Sequence, residues 1–533
     1  MVVPYNHGAK QAVARMPNIV DSASLPELVF GVAGPIGVDI LAICDSLKNV
    51  LREMRYESEI IHLTTEMMDY EIQAPPAKPT ATDFYTDVNF KIKYANALCA
   101  ELKDPASLAR VALRAISQRR ERLAGQPKTP PPNATAYIIR QLKRPDEVAL
   151  LRRVYGKQFI LISAYGSQEK RTKLIEERLR RSLPPSTPNN DVCCKAGELI
   201  AKDTIEEDND YGQRLRETFH LADVFIDGLA RQRMDEKLTR FIHAFFGRTD
   251  IAPSKEEYGM YAAKSASLRS SDLSRQVGAA IFTADGELIT QGCNEVPKAT
   301  GGTYWDSEEP DFRDVRLGHD PNDILKFDIL RDLFDRLGKA DYLSKKIKEL
   351  GPLDKMISTI TRKRKPGTGE KDGILATASI MDVTEFGRVV HAEMCAICDA
   401  ARLGRSVKGA ILYCTTFPCH NCTKHILASG ISRVVYMEPY PKSKAKDLHQ
   451  NEIEIESEAP GRVAFVPFLG ISPHRYRDIF QKTGKRKRED GSAKRWISDI
   501  ERPMVEMTTN AYLESEEAEI TKLFGTFEPS ART

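Results

Sequence analysis

Apolar and polar positions divide this chain into two blocks of unlike pattern. In the first, apolar runs at 27–32, 58–63, 137–142, 158–164 and 222–227 have the length of buried strands. Helix-period stretches lie between them, clearest at 38–54 and at 145–155, where Pro145 suits a first turn. A third, at 169–181, is strongly basic, with Lys170, Arg171, Arg178, Arg180 and Arg181. Strands alternating with helices at these lengths predict an α/β unit with a mostly parallel sheet. Pro-rich loops at 74–81 and 125–134 interrupt it, and a weakly patterned lead-in at 1–25 precedes it.

The second block starts near Tyr258. Runs at 277–282 and 287–291 flank Ala284-Asp285-Gly286 and predict a hairpin. A charged stretch at about 305–385 follows, too polar and irregular for core, and reads as an insertion. The pattern then tightens. A helix is expected at 391–402, a strand at 409–414, a helix at 419–429 and strands at 433–437 and 463–467. A polar tail runs from 482 to the end. The expected units are a lead-in at 1–25, a first domain at 26–235, a second at 255–481 and the tail at 482–533. The chain has 533 residues, too many for one ordinary core, which by length alone implies two or three domains.

Charge and cysteines narrow the function classes. Lys and Arg number 78 against 75 Asp and Glu, a net +3, which argues against a polynucleotide binder working through bulk charge. The most apolar stretch, 28–44, holds three Gly, a Pro and an Asp, so no membrane span is expected. MVVPYNHGAK at the start has no apolar segment of an export signal. The expectation is a cytoplasmic chain whose ten cysteines are reduced, with closely spaced ones serving a metal or catalysis.

His391-Ala392-Glu393 and Pro418-Cys419-His420-Asn421-Cys422 form the sharpest chemical signal. A catalytic zinc takes three protein ligands and keeps one position open, and one His with two Cys supplies that set. Cys419 and Cys422 are three apart and share a helix face. Pro418 suits the first turn of that helix, and both ligand groups then sit at helix N-termini, which favour thiolates. Glu393, two residues from the His, is left free to move protons between a zinc-activated water and the ring nitrogen of a cytosine. The spacing H-x-E with P-C-x-x-C is the signature of zinc nucleobase deaminases. A bare C-x-x-C also occurs in structural zinc sites, and the Glu and Pro weigh against that reading. Cys395, Cys398, Cys293 and Cys414 read as core, and His420 and His425 as helix-surface or supporting residues.

From about Tyr258 to Ile471, insertion aside, the sequence resembles a deoxycytidylate deaminase. Ser274-Arg275-Gln276-Val277-Gly278-Ala279 is similar to that family's first strand, and Gln291-Gly292-Cys293-Asn294 to its G-x-N turn. Thr415-Thr416-Phe417-Pro418-Cys419 resembles its crossing into the metal, and Tyr440-Pro441-Lys442-Ser443 its loop near substrate phosphate. The resemblance implies that Asn294 holds the sugar and that Tyr440, Lys442 and Ser443 approach phosphate. Arg275 either reaches phosphate or caps a helix. The resemblance also implies free deoxycytidine nucleotides as substrates and a homo-oligomer. The long insertion leaves the choice between mono- and triphosphate open.

In the first block, Gly31-Val-Ala-Gly34-Pro-Ile-Gly37-Val38-Asp39 follows a strand and opens a helix, the context of a phosphate-cradling P-loop. The Lys and Ser/Thr of a working loop are replaced by Val38 and Asp39, and Asp39 at a helix N-terminus repels an anion. Degenerate nucleotide binding and a purely structural turn both remain open for Gly31, Gly34, Gly37 and Asp39. The basic 169–181 stretch resembles a nucleotide-kinase lid, or is a solvated face with ion pairs such as Glu176–Arg180.

The whole layout, a P-loop-kinase-like domain before a deoxycytidylate deaminase, resembles the bacterial anti-phage cytidine deaminases of the AvcD type. That resemblance implies depletion of dCTP and dCMP during infection, and restraint by an inhibitory small RNA in at least some members. Arg362–Lys365 and Lys485–Arg488 either contact such RNA or are solvated loops. The expected architecture is α/β: an N-terminal P-loop-like parallel-sheet domain and a C-terminal three-layer α/β/α zinc cytidine-deaminase-like domain. Rival readings are a single-stranded nucleic-acid editor, which needs a basic groove with stacking aromatics, and a nucleotide or RNA sensor whose deaminase domain is only a scaffold.

Overall fold

The computed structural model describes residues 25–80, 83–124, 133–206, 209–364, 370–383, 386–440, 442–482, 485–497, 502–505 and 511–524. The lead-in at 1–24 lies outside them. Two six-stranded sheets carry the fold.

The first sheet holds β1 (Leu28–Ala33), β2 (Glu57–His62), β3 (Thr135–Arg140), β4 (Phe159–Tyr165) and β5 (Val224–Asp227). These five are parallel in the order β2-β3-β1-β4-β5. All six residues of β1 are buried, because helices cover both faces of a parallel sheet and leave no polar side. The helix Ile40–Glu53 packs on one face with Arg231–Phe245. On the other lie Phe84–Glu101, Ser107–Ala124 and Pro145–Tyr155. Helices leaving β1 and β3, adjacent strands, therefore depart to opposite faces.

The second sheet holds β6 (Gly278–Phe282), β7 (Leu288–Cys293), β8 (Ile411–Thr416), β9 (Arg433–Glu438), β10 (Ile453–Ile455) and β11 (Val463–Pro467). Its order is β10-β11-β9-β8-β6-β7; the β7-β6-β8 side is antiparallel and the β8-β9-β11-β10 side parallel. Alternation sorts the faces. Ala280, Phe282 and Tyr413 pack toward the helix Lys255–Ser267, while Ala279, Ile281, Leu412 and Cys414 pack toward Ala392–Arg402 and His420–Ala428. Gly292 of β7 is required by close approach: a Cβ there would lie 2.5 Å from the carbonyl oxygen of Ala392 and 2.6 Å from the amide nitrogen of Ala396.

The two units are joined more closely than the division of the sequence into separate blocks suggests. A short last strand, β12 (Gly470–Ile471), leaves the second unit and pairs antiparallel with β5 of the first sheet. Phe468 meets Phe225 edge-on at 5.7 Å between ring centroids. Glu257, fully buried, accepts from Arg240 at 2.7 Å and from the Ile471 amide at 3.0 Å, tying three segments together. The 482–533 segment is not merely a polar tail. Its helix Ala511–Phe524 lies on the first unit, where Arg120 bridges Glu27 at 2.9 Å and Glu516 at 2.7 Å. The pairings of β12 with β5, Phe468 with Phe225, Ile471 with Glu257 and Arg120 with Glu516 each span more than 200 residues, so no local pattern announces them.

The 305–385 stretch is more regular than its polarity implies. The helices Pro321–Lys339 and Leu353–Thr361 pack together and bury Leu330, Met356, Ile357 and Ile360. The basic stretch forms the helix Gln168–Ser182, but its ion pair is Lys173–Glu169. The expected Glu176–Arg180 pair is not among the ion pairs of the described residues. Among the described residues no helix is long and apolar enough to cross a membrane.

Candidate active site

At the end of β8 the chain turns through Phe417 and Pro418 into the helix His420–Ala428. Phe417 anchors the turn against Tyr436 and Phe465, at 4.9 and 5.6 Å between centroids. Cys419 is the N-cap: its Sγ accepts from the Cys422 amide at 3.5 Å. Pro418 thus precedes the cap rather than occupying the first turn, because the cap position itself is taken by a sulfur. His391 likewise caps Ala392–Arg402 instead of opening it, and its ring makes no capping bond. A pair of backbone bonds between Glu295 and Val390, at 3.1 and 3.2 Å, fixes where His391 begins.

His391, Cys419 and Cys422 converge, with ligand atoms all within 4.8 Å of one another. His391 Nδ1 lies 3.3 Å from each sulfur, and the sulfurs are 3.6 Å apart. Bonds of about 2.3 Å to sulfur and about 2.0 Å to nitrogen separate tetrahedral zinc ligands by roughly 3.5–3.8 Å. The trio fits that set closely, and its soft and imidazole donors suit zinc. Hydrogen bonds with Cys422 and His391 pull the Cys419 thiol down to about 4. Hydrogen bonding with Cys419 and burial push Cys422 well up. Cys419 in turn raises His391.

Glu393 sits in the first turn behind His391 and is buried, with Oε2 3.4 Å from Cys422 Sγ. Burial lifts its carboxyl above the ordinary range, with the neighbouring Cys419 adding to the effect. A carboxyl so placed is suited to exchange protons near neutrality.

The residues expected to meet substrate are tied to one another: Asn294 to Arg275, Arg275 to Tyr440, and Ser443 to Pro418 beside Cys419. Asn294 uses its amide to clamp a loop: Oδ1 accepts from Val277 N–H at 2.7 Å and Nδ2 donates to the Arg275 carbonyl at 2.8 Å. Among the described residues one amide hydrogen and one acceptor position of Asn294 have no partner. Arg275 caps no helix; its guanidinium lies 5.2 Å over the Tyr440 ring. Lys442 pairs with Asp382 of the insertion, and Ser443 Oγ donates to the Pro418 carbonyl at 2.9 Å. Sequence reasoning missed Asp382 and Glu295. Glu295 accepts from both the amide and hydroxyl of Ser271, and neither acid stands in a motif. Cys398 is exposed rather than core, while Cys293, Cys395 and Cys414 are buried.

The Gly-rich loop differs from the expected cradle. Gly31 lies within β1, where a Cβ would meet Leu142 at 2.5 Å, so packing rather than a phosphate selects it. Gly34 and Gly37 flank the turn, and Gly37 has φ +99°, a left-handed conformation suited to glycine. Asp39 caps Ile40–Glu53, accepting from Ala42 N–H at 2.9 Å. Some of the loop's own groups are engaged by distant side chains. Asp203 accepts from Ile36 N–H and from Lys143, both at 2.7 Å; Lys143 also donates to Gly34 O, and Arg171 to Ile36 O. Of the basic clusters, Arg364 pairs with Asp210 at 3.3 Å, and Lys365 lies outside the described residues.

Residues 253–438, about a third of the chain, match the family model of the cytidine and deoxycytidylate deaminase zinc-binding region. Zinc is the metal that this region takes, and the His/Cys/Cys trio lies within it. Deoxycytidylate deaminases of the enterobacteria phages T2 and T4 are each 51% identical over 55 residues, 10% of this chain and 29% and 28% of theirs. ComE operon protein 2 of Bacillus subtilis (strain 168) is 33% identical over 90 residues, 16% of this chain and 48% of its own. The chain thus spans less than half the length of these curated relatives. A dCMP deaminase from the cyanophage S-TIM5, solved with dCMP and dUMP, is 18% identical over 41% of this chain and 98% of its own. Its TM-score of 0.21 is too low to bear on the fold.

Proposed function

We propose that this protein hydrolytically deaminates free deoxycytidine nucleotides, dCMP or dCTP, to their uracil counterparts and ammonia. The observation that carries the reading is the buried Glu393 carboxyl against Cys422 of a His/Cys/Cys trio with zinc spacing. The names of the phage relatives support cytosine deoxynucleotides as the substrate class.

His391, Cys419 and Cys422 hold the metal in this reading. Bound zinc lowers the pKa of water from 15.7 to about 7 and so supplies the nucleophile at neutral pH. Glu393 takes a proton from the attacking water and delivers it to ring N3 as oxygen adds at C4. Glu393 then takes the second proton from the new C4 hydroxyl and passes it to the exocyclic amine; the C4–N4 bond breaks, C4 becomes a carbonyl and ammonia leaves. Asn294 positions the sugar through its remaining amide hydrogen. Arg275 and Lys442, beside Tyr440, meet phosphate, and Asp382 sets how far Lys442 can reach.

The parallel order β2-β3-β1-β4-β5 with a Gly-rich turn after β1 supports a P-loop-kinase-like first unit without phosphoryl transfer, since no loop Lys is present. An anti-phage role, a restraining small RNA and a homo-oligomer rest on the resemblance of the whole layout. The test incubates wild type and Glu393→Ala with dCMP, dCTP, CTP and a cytosine-bearing oligonucleotide, resolving uracil products by mass spectrometry. Uracil from dCMP or dCTP, lost in the variant, supports the reading; activity on the oligonucleotide alone would overturn it.

A further inference from the structure

Near its end the 305–385 stretch forms a short turn, Ser379–Asp382, that reaches Lys442 beside the candidate site. The turn is gripped through the carbonyls on either side of Asp382. Asn322 Nδ2 donates to the Val383 carbonyl at 3.0 Å, and Lys326 Nζ to the Met381 carbonyl at 3.2 Å. Asn322 Oδ1 also accepts from the Phe386 amide at 3.2 Å. Asn322 and Lys326 are four apart on the helix Pro321–Lys339 and so share a face. Both are buried, and Lys326 is paired with Asp323 at 2.7 Å. Burying an ammonium is costly, and here it fixes the backbone on one side of a single acid. With both flanking carbonyls pinned, the Asp382 carboxylate meets Lys442.

Lys442 stands among the charges around Tyr440. The Arg275 guanidinium lies 5.2 Å over that ring. Burial pushes the Tyr440 hydroxyl up, and Arg275, Cys419, Lys442 and Asp382 all act on it, so two cations and an acid share the neighbourhood of a metal ligand. Arg275 has no carboxylate partner among the described residues, whereas Lys442 has Asp382. A carboxylate on Lys442 takes the cation that a phosphate would use. Its charge also stays nearby once a phosphate arrives. That repulsion grows with the charge the ligand carries, so a triphosphate meets more of it than a monophosphate.

We propose that Asp382 is a specificity determinant that biases this site against the triphosphate, so that dCMP is used better than dCTP. This rests on the deaminase reading above and on Lys442 meeting phosphate. Discrimination between related ligands commonly includes a repulsive element aimed at the unwanted one. The insertion supplies such an element, an acid held in place by a buried clamp.

The test measures kcat and KM of full-length, zinc-loaded protein for dCMP, dCDP and dCTP at low and high salt. Wild type is compared with Asp382→Asn, Asp382→Glu and Asp332→Asn. The last removes the same charge from an exposed position on the insertion helix, about 15 Å along its axis from Asn322. Wild-type kcat/KM should fall from dCMP to dCDP to dCTP. Asp382→Asn should lower KM for dCTP about tenfold and for dCMP no more than about threefold, with kcat little changed, the pattern of altered binding. Asp382→Glu should keep the wild-type order, and Asp332→Asn should match wild type. High salt should shrink the difference between wild type and Asp382→Asn, because exposed charges are screened. A merely structural role for Asp382 would depend on neither phosphate number nor salt. The proposal is overturned by a wild type that favours dCTP, by an unchanged dCMP-to-dCTP ratio in Asp382→Asn, by Asp382→Glu behaving as Asp382→Asn, or by a difference that high salt leaves untouched. Each of those outcomes leaves the deaminase reading standing. A wild type that deaminates none of the three nucleotides would remove that reading, and this proposal with it.

Discussion

Glu393 Oε2 lies 3.4 Å from Cys422 Sγ, although the two residues are 29 apart in sequence and sit on different helices. The contact exists because both helix N-termini converge at one end of the second sheet. It places an acid–base group beside the metal ligands without making it one. Glu393→Gln keeps the shape and removes the proton exchange. The expected outcome is a fall in kcat of about 10²–10⁴-fold with zinc content unchanged. Steady-state kinetics with metal analysis on the same sample checks it; unchanged kcat would remove Glu393 from the chemistry.

Cys419 both caps a helix and belongs to the trio. Cys419→Ser retains a good capping oxygen but lacks the soft donor. We expect a stable fold, lost zinc and no deamination, and chelation of the wild type should reproduce the loss reversibly. Zinc retained at one per chain in Cys419→Ser would contradict the assignment.

Lys442 is held by Asp382 from the insertion. If it meets substrate phosphate, Lys442→Ala raises KM for dCMP roughly tenfold with kcat little changed, the pattern of lost uniform binding. Asp382→Ala, which frees the Lys, should not raise KM. Equal kcat and KM for Lys442→Ala and wild type would place phosphate elsewhere.

Gly292 has no room for a methyl group against the Ala392 carbonyl. Gly292→Ala must push the helix bearing Glu393 away from β7. Expected are a lowered melting temperature and activity reduced by about 10²-fold, since a displacement of about 1 Å can cost that much. A fully active variant with unchanged melting would show that the sheet and helix yield without cost.

Arg120 neutralises two buried carboxylates, Glu27 before β1 and Glu516 of the last helix. Removing one member of a buried ion network leaves uncompensated charge and costs about 3–5 kcal/mol. Arg120→Met should lower stability in urea by that order. Glu516→Gln, which leaves the Arg120–Glu27 pair intact, should cost less.

Local pattern carried much of this protein. The trio His391, Cys419 and Cys422 with Glu393 was legible because ligand chemistry demands fixed residue types at short spacing. Most strands were legible because burial on both sheet faces leaves runs of apolar residues, as in β1, and the Ala284-Asp285-Gly286 turn marked the hairpin of β6 and β7, while the short β10 and β12 left no such run. Tertiary structure decided what depends on distant partners. Asp203 reaches the Gly-rich loop across 167 residues, and Asp382 reaches Lys442 across 60. Gly470 and Ile471 extend a sheet begun more than 400 residues earlier. A carboxylate's sequence neighbours do not say which amide or cation it will meet, because that choice is made by packing once the helices and sheets are assembled.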